Sequence, residues 1–338
     1  MSLNDLEIEI ETGNETEIET GNGKPFSTYL LYWFLLTVSI TFYGVGIFVV
    51  YIPDEIMTDL EQVPQNSWFI ISISRFISFA LLIVATTKCI SGKQMVEWIY
   101  NKNYRFSLWT LLISASLNVL GYLTYEHLIL RGNQLGLMSV ITDSFVLIPV
   151  VYGIFVFKDK MNWFKRIGFP IFALGVVFIG VGKVQETTNL EKTDEQQIKV
   201  GFEVVDVILI IVTMSSWAIA TIFQITALKK VPYSYFLYIL LVGQFFNSVI
   251  GLIWFLVGEF KFTLETLIIF TGYFMTTIAN VAGIYLSADD HTAKWNALIH
   301  LNTLITLGLS MAYFGERLNS WLYAGIGTLI GSSLLISI

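Results

Sequence analysis

Runs of about 20 predominantly apolar residues recur along nearly the whole chain. A helix of that length crosses the ~30 Å hydrocarbon core of a bilayer. The runs fall near 27–51, 67–88, 106–130, 135–157, 164–183, 204–228, 234–257, 263–287, 293–314 and 319–338. In lipid each segment must satisfy its own backbone hydrogen bonds, so runs this long are expected to be helical. Composition agrees: 55% of residues are hydrophobic and 13% charged, against about 25% charged in a soluble domain. The expected fold is an all-α membrane protein with ten transmembrane helices and no soluble domain. The first run has no small-residue cleavage site before the next polar stretch, so it reads as a span and not a signal peptide. The single cysteine, Cys89, excludes an intramolecular disulfide and a cysteine metal cluster.

The net charge of -7 is concentrated at one end. Residues 1–25 hold seven acids and one base, Lys24, so they account for -6 and the rest is near neutral. This stretch repeats "EIETGN" at 9–14 and 17–22. It is too polar and like-charged to fold alone and reads as a disordered tail. The remaining Lys and Arg set an orientation. With a cytosolic N-terminus, the inner side holds twelve bases and the outer side six, leaving Arg75 inside a span. Both termini are therefore expected in the cytosol, of a chain in the plasma membrane or an endomembrane. The Asn14-Glu15-Thr16 glycosylation pattern would then stay unmodified.

The chain also repeats itself at long range. "FKDKMNWFKRIG" (157–168) aligns with "FGERLNSWLYAG" (314–325) at an offset of 157. Phe157 meets Phe314, Asn162 meets Asn319 and Gly168 meets Gly325. "VPQNSWF" and "VPYSYF" precede the second and seventh runs. The chain reads as two five-helix repeats, 26–183 and 204–338, joined by a polar loop at 184–203. Five is odd, so the second unit must enter the membrane inverted, which is a recurrent transporter plan.

These features carry a resemblance. The 5+5 layout, "SRF" (74–76), the hinge "RGNQLG" (131–136) and the two F-x-[DE]-[KR]-[ML]-N joints resemble the EamA-like domains of the drug/metabolite transporter superfamily over about residues 27–338. "TDSFVLIP" (142–149) is also similar to the solute carrier 35 F-type branch, from which the second half departs. The resemblance implies secondary transport of small polar metabolites without ATP. The absence of GxxxxGK[ST] agrees.

Polar residues inside the apolar runs mark the candidate site. Asp143 plus the repeat offset gives His300, and Ser139 gives Asn296. Each pair is spaced i, i+4 and shares one helix face, and Thr303 extends the second stripe. Asp143 and His300 each lie about eight residues into a run, roughly 12 Å deep, near the middle of the membrane. Desolvation favours the neutral form of either group and mutual contact favours the charged pair, so together they suit proton coupling. A structural pair is the competing reading.

Arg75, on a helix with Ser72, Ser74 and Ser78, could pair with Asp143, fix packing or clamp an anion. The first two are favoured, because membrane guanidinium groups seek a fixed partner. Its repeat counterpart is near Gln244. Asn118, Tyr122 and Tyr125 or Glu126 form a polar stripe, although Glu126 and His127 also suit an interfacial anchor. Thr276 and Asn280 answer from the eighth run, Ser39 and Tyr43 from the first, and Ser216, Trp217 and Gln224 from the sixth. Pro149 is expected to kink the fourth run.

The function expected from this pattern is alternating-access transport of an amine, vitamin, nucleobase or amino acid. A nucleotide-sugar or organophosphate exchanger is disfavoured, since no Lys-Arg pair or deep base beyond Arg75 is present to grip a phosphate. An intramembrane acyltransferase using His300 with Asn296 or Asn302 lacks a second motif. An aspartyl protease needs two membrane aspartates, and HExxH is absent. A non-transporting scaffold has no need of symmetric ionisable residues. No cofactor is expected. The expected partners are a small-molecule substrate and the lipid bilayer, with a homodimer left open and no nucleic acid.

Overall fold

The computed structural model describes residues 26–56, 67–86, 92–131, 133–156, 158, 161–190, 203–257, 264–287, 292–315 and 317–337. These form α1 (Phe26–Ile56), α2 (Ser67–Thr86), α3 (Gly92–Tyr100), α4 (Arg105–Leu130) and α5 (Leu135–Asp143). A 3-10 turn (Ser144–Val146) leads into α6 (Leu147–Val156). Then come α7 (Trp163–Leu190), α8 (Val204–Leu228), α9 (Tyr233–Val257), α10 (Leu264–Ser287), α11 (Thr292–Tyr313) and α12 (Ser320–Ser337). Among the described residues there is no strand. The acidic tail at 1–25 lies outside them. So do residues 191–202 of the expected loop, whose first part is helical because α7 continues through Leu190.

Among the described residues, Arg105–Leu130, Leu135–Val156, Trp163–Gly182, Val204–Leu228 and Tyr233–Ile253 are long and apolar enough to cross a membrane. Shorter apolar helical stretches cover Thr37–Tyr51, Trp68–Val84, Thr266–Asn280 and Ser320–Ile336. The polarity of the bundle is inverted relative to a soluble protein. Val84 is 79% exposed and Phe155 78%, while Ser39, Ser72, Ser78, Thr213, Thr276 and Ser310 are fully buried. Apolar surface facing lipid costs nothing, and hydroxyls must find acceptors inside. Many donate to a carbonyl one turn back, as Ser74 Oγ does to Ile70 at 2.6 Å and Ser78 Oγ to Ser74 at 2.7 Å. This is the architecture of a helical membrane protein.

The principal helix pairs are α1 with α10, α4 with α8, α7 with α12 and α2 with α9. If the two halves are exchanged, the first two pairs map onto each other and the last two map onto themselves. The correspondence reaches single atoms. A Cβ at Gly168 would meet Ile336 Cγ1 at 2.5 Å and the Ser332 carbonyl at 3.1 Å. At Gly325 it would meet Ile179 Cγ1 at 2.7 Å and the Gly175 carbonyl at 3.0 Å. Each partner in the second set is displaced by 157 from its equivalent in the first. Gly168 near the start of α7 touches the end of α12, and Gly182 further along α7 touches Leu322 near the start of α12. The two helices therefore cross antiparallel, and close approach of small residues holds them.

The repeated joint has a local explanation. Lys158 and Gly315, equivalent at the same offset, both take positive φ, 57° and 67°. A left-handed residue ends the preceding helix and turns the chain. Asn162 then caps α7, its Oδ1 accepting from the Lys165 amide at 2.9 Å. Asn319 caps α12, its Oδ1 accepting from the Leu322 amide at 3.0 Å. Each satisfies the amide of the third helical residue.

Candidate functional site

At the expected kink in the fourth run the α-helical pattern breaks for one turn, while the apolar span continues from Leu135 to Val156. α5 ends on Asp143, a single 3-10 turn follows, and α6 resumes at Leu147. Pro149 has no amide to give the Phe145 carbonyl, and its ring crowds that carbonyl. Just before the break, Thr142 Oγ1 donates to Met138 at 2.7 Å and Ser144 Oγ to Val140 at 2.9 Å. Such back-bonding bends helices further. The turn thus follows directly on a 2%-exposed carboxyl.

Asp143 meets the other half of the chain. Thr303 Oγ1 on α11 donates to Asp143 Oδ2 at 2.5 Å. Thr303, one member of the expected α11 stripe, therefore meets Asp143. His300 and Asn296 lie on α11, but their side chains are outside the described residues. One turn before Asp143, Ser139 Oγ shares a 2.6 Å hydrogen bond with the Tyr125 hydroxyl of α4. These contacts tie α4, α5 and α11 together around the break.

Arg75 is 3% exposed and forms no ion pair with Asp143: the ion pairs among the described residues join Arg131 to Glu203 and Asp206. Of the roles left open for Arg75, pairing with Asp143 is not the one found. The guanidinium lies instead over the Tyr122 ring, 4.6 Å from its centroid. Nε and Nη2 have no hydrogen-bond partner among the described residues. An electron-rich face attracts the cation but leaves these in-plane donors unused.

Tyr122 belongs to an aromatic cluster centred on Trp217. The Trp217 ring lies 5.2 Å from Tyr122, 5.7 Å from Tyr125 and 5.7 Å from Phe145. Tyr273 meets Tyr122 edge-on at 5.5 Å, and Tyr51 meets Tyr125 at 5.7 Å. Gly121 makes room for the indole, since a Cβ there would lie 2.3 Å from Trp217 Nε1. That buried indole nitrogen has no partner among the described residues, nor have the Asn302 amide atoms. Tyr43, also buried, lies within electrostatic reach of Tyr122, Asp143 and Arg75. One continuous region thus runs from Arg75 through Tyr122 and Trp217 to Asp143 and Thr303.

Other expected site residues fall elsewhere. Glu126, which is buried, and His127, which is exposed, line a cleft between α4 and α8 with Leu123, Thr124, Leu130 and Leu209. Asn118 is half-buried, its Nδ2 donating to the Ser114 carbonyl at 3.2 Å. Asn280 is half-buried on α10. Gln244, opposite Arg75 in the repeat, donates to the Ala115 carbonyl at 3.3 Å. Ser216 and Gln224 are buried on α8, and Gln224 Nε2 donates to Ser114 Oγ at 2.8 Å. Sequence reasoning did not single out Tyr51, Phe145 and Tyr273. Scattered aromatics carry no periodic signal; the available hint was a glycine, Gly121, beside Tyr122, where the structure admits Trp217. Among the described residues no group of His, Cys, Asp and Glu could hold a metal ion.

No family model matches the chain, and no curated protein matches it. Among solved structures, one described as "Crystal structure of protein" is similar with a TM-score of 0.54 and 10% identity. The match covers 90% of this chain and 98% of that one. The likeness is one of fold.

Proposed function

We propose that the chain is a secondary transporter of a small polar metabolite, built from two inverted five-helix repeats and working by alternating access. One observation carries the reading. The fourth span tightens into a 3-10 turn just after Asp143, and the buried Asp143 carboxyl is held by Thr303 from the other half of the chain. Broken helices at the midplane between inverted repeats are where carriers bind solute and coupling ion. The antiparallel α7–α12 crossing, with contacts that repeat at the offset of 157, supports the inverted plan. Two related packings of such halves open to opposite sides in turn.

Asp143 is the coupling residue in this reading. It takes up a proton while its cavity faces one side and gives it up facing the other. Thr303 holds the carboxyl in place between these events. The aromatic cluster about Trp217 binds the planar or apolar part of the solute. His300 and Asn296 reinforce the site from α11. Ten spans, with both termini in the cytosol, complete the topology.

The test is reconstitution of the purified chain in liposomes, challenged with a solute library with and without a pH gradient. Uptake of some solute should depend on the gradient. It should fall at least about tenfold in Asp143→Asn, about 1.4 kcal/mol in the transport barrier, with the variant still monodisperse. Undiminished, gradient-driven uptake in Asp143→Asn would remove Asp143 from the mechanism.

A further inference from the structure

We infer that the solute is a planar organic monocarboxylate, an aromatic or heteroaromatic acid, whose carboxylate is gripped side-on by Arg75. The inference rests on the transporter reading for the solute's passage, but its core is a binding site. The two unpaired nitrogens of Arg75 are Nε and Nη2. These lie on the same edge of the guanidinium and point their hydrogens in parallel. That edge matches the two oxygens of a carboxylate, giving two charge-assisted hydrogen bonds. Arg75 is 3% exposed, so bulk water does not satisfy it. A cation at that depth needs a counter-charge, and Asp143 does not supply it within ion-pairing distance.

The surroundings fix the rest of the ligand. The guanidinium rests on Tyr122, which Trp217 and Tyr273 touch edge-on. Trp217 Nε1 is a second buried donor without a partner among the described residues, bordering the same ring. Aromatic walls and donors together suit a flat ring that carries acceptors. A single guanidinium balances one negative charge, so a monoanion fits and a phosphate dianion does not.

Binding to the purified full-length chain in detergent tests this without any transport. The probes are matched pairs: nicotinate and nicotinamide, benzoate and benzamide, indole-3-acetate and indole-3-acetamide. In at least one pair the carboxylate should bind about tenfold more tightly than the amide. Arg75→Gln should abolish that preference. Arg75→Lys keeps the charge but not the fork, so it should weaken the preference. Binding of no carboxylate, amides bound as tightly as acids, a preference that survives Arg75→Gln, or phenyl phosphate outcompeting benzoate would each overturn the inference. If Arg75→Gln does not fold, the acid–amide comparison on the unaltered chain decides. A carboxylate that binds but never enters liposomes sinks the transporter reading and leaves this one. Uptake of uncharged solutes unaffected by Arg75→Gln does the reverse.

Discussion

Arg131 and Arg75 are the same side chain put to opposite uses. Arg131 closes α4 and donates to Asp206 through Nε at 2.7 Å and to Glu203 through Nη2. The Asp206 hydrogen bond, chiefly, holds the Arg131 pKa above its ordinary value, so the group is charged at any pH the protein meets. Asp206 also accepts from the Glu203 amide at 2.9 Å, capping α8. The Arg131–Asp206–Glu203 cluster fastens the ends of α4 and α8 together. Arg75 is more deeply buried, and two of its donors have no hydrogen-bond partner among the described residues. A fold that carries an unpaired buried cation gives up stability there, and such places cluster where ligands bind.

The sharpest way to break the contrast is to turn each arginine into methionine. Arg75→Met should raise thermal stability, by roughly 1–4 kcal/mol as for other buried charges replaced by apolar groups, while abolishing carboxylate binding. Arg131→Met should lower the melting temperature, because it takes the guanidinium away from the fully buried Asp206 carboxyl, and should leave binding largely intact. Equal destabilisation by the two, read by thermal unfolding, would make Arg75 structural.

Gly121→Ala attacks the ring on which Arg75 rests. The new methyl would collide with Trp217, at a cost of about 1–3 kcal/mol, and should weaken ligand binding in the same preparation. Thr303→Val removes the donor to Asp143. An unpaired buried acceptor costs about 1–3 kcal/mol, so both stability and uptake should drop, and Thr303→Ser should restore them. If Thr303→Val transports as well as the unaltered chain, the bond across the repeat boundary is only packing. The smallest effect sharpens the comparison by contrast. Lys158 holds a φ of 57°, which a side chain resists and glycine does not. Lys158→Gly should gain up to about 1 kcal/mol, and binding isotherms should not move, since the joint is remote from both arginines in sequence and in role.

Much of this was legible before any coordinates. The spacing of apolar runs marked the helices. The offset between "FKDKMNWFKRIG" and "FGERLNSWLYAG" marked equivalences that return as matched φ values at Lys158 and Gly315 and matched caps at Asn162 and Asn319. Asp143 stood out because a carboxyl in an apolar run is costly, and Thr303 because it shares a helix face with the residue opposite. The pairing of Arg75 with Asp143 was not borne out: opposite charge says two groups could meet, not that their helices bring them together. Trp217 was read only as one polar stripe residue among several, since tryptophan in a span more often marks an interface.

The amino-acid order thus sets what is local or periodic: the apolar helices, the caps and left-handed turns at the joints, the irregular turn before Pro149, and the sequence match at an offset of 157. These follow from backbone hydrogen bonding and from short-range sterics, which a few consecutive residues specify. The three-dimensional packing sets who faces whom. Short polar stripes mark an inward face on several of these helices, but they do not say which partner that face meets. Shape at contacts far apart in sequence settles it, as where Gly121 admits Trp217, Gly168 admits Ile336, and α11 brings Thr303 to Asp143. Arg75, left with an open fork beside Tyr122, is a product of that packing.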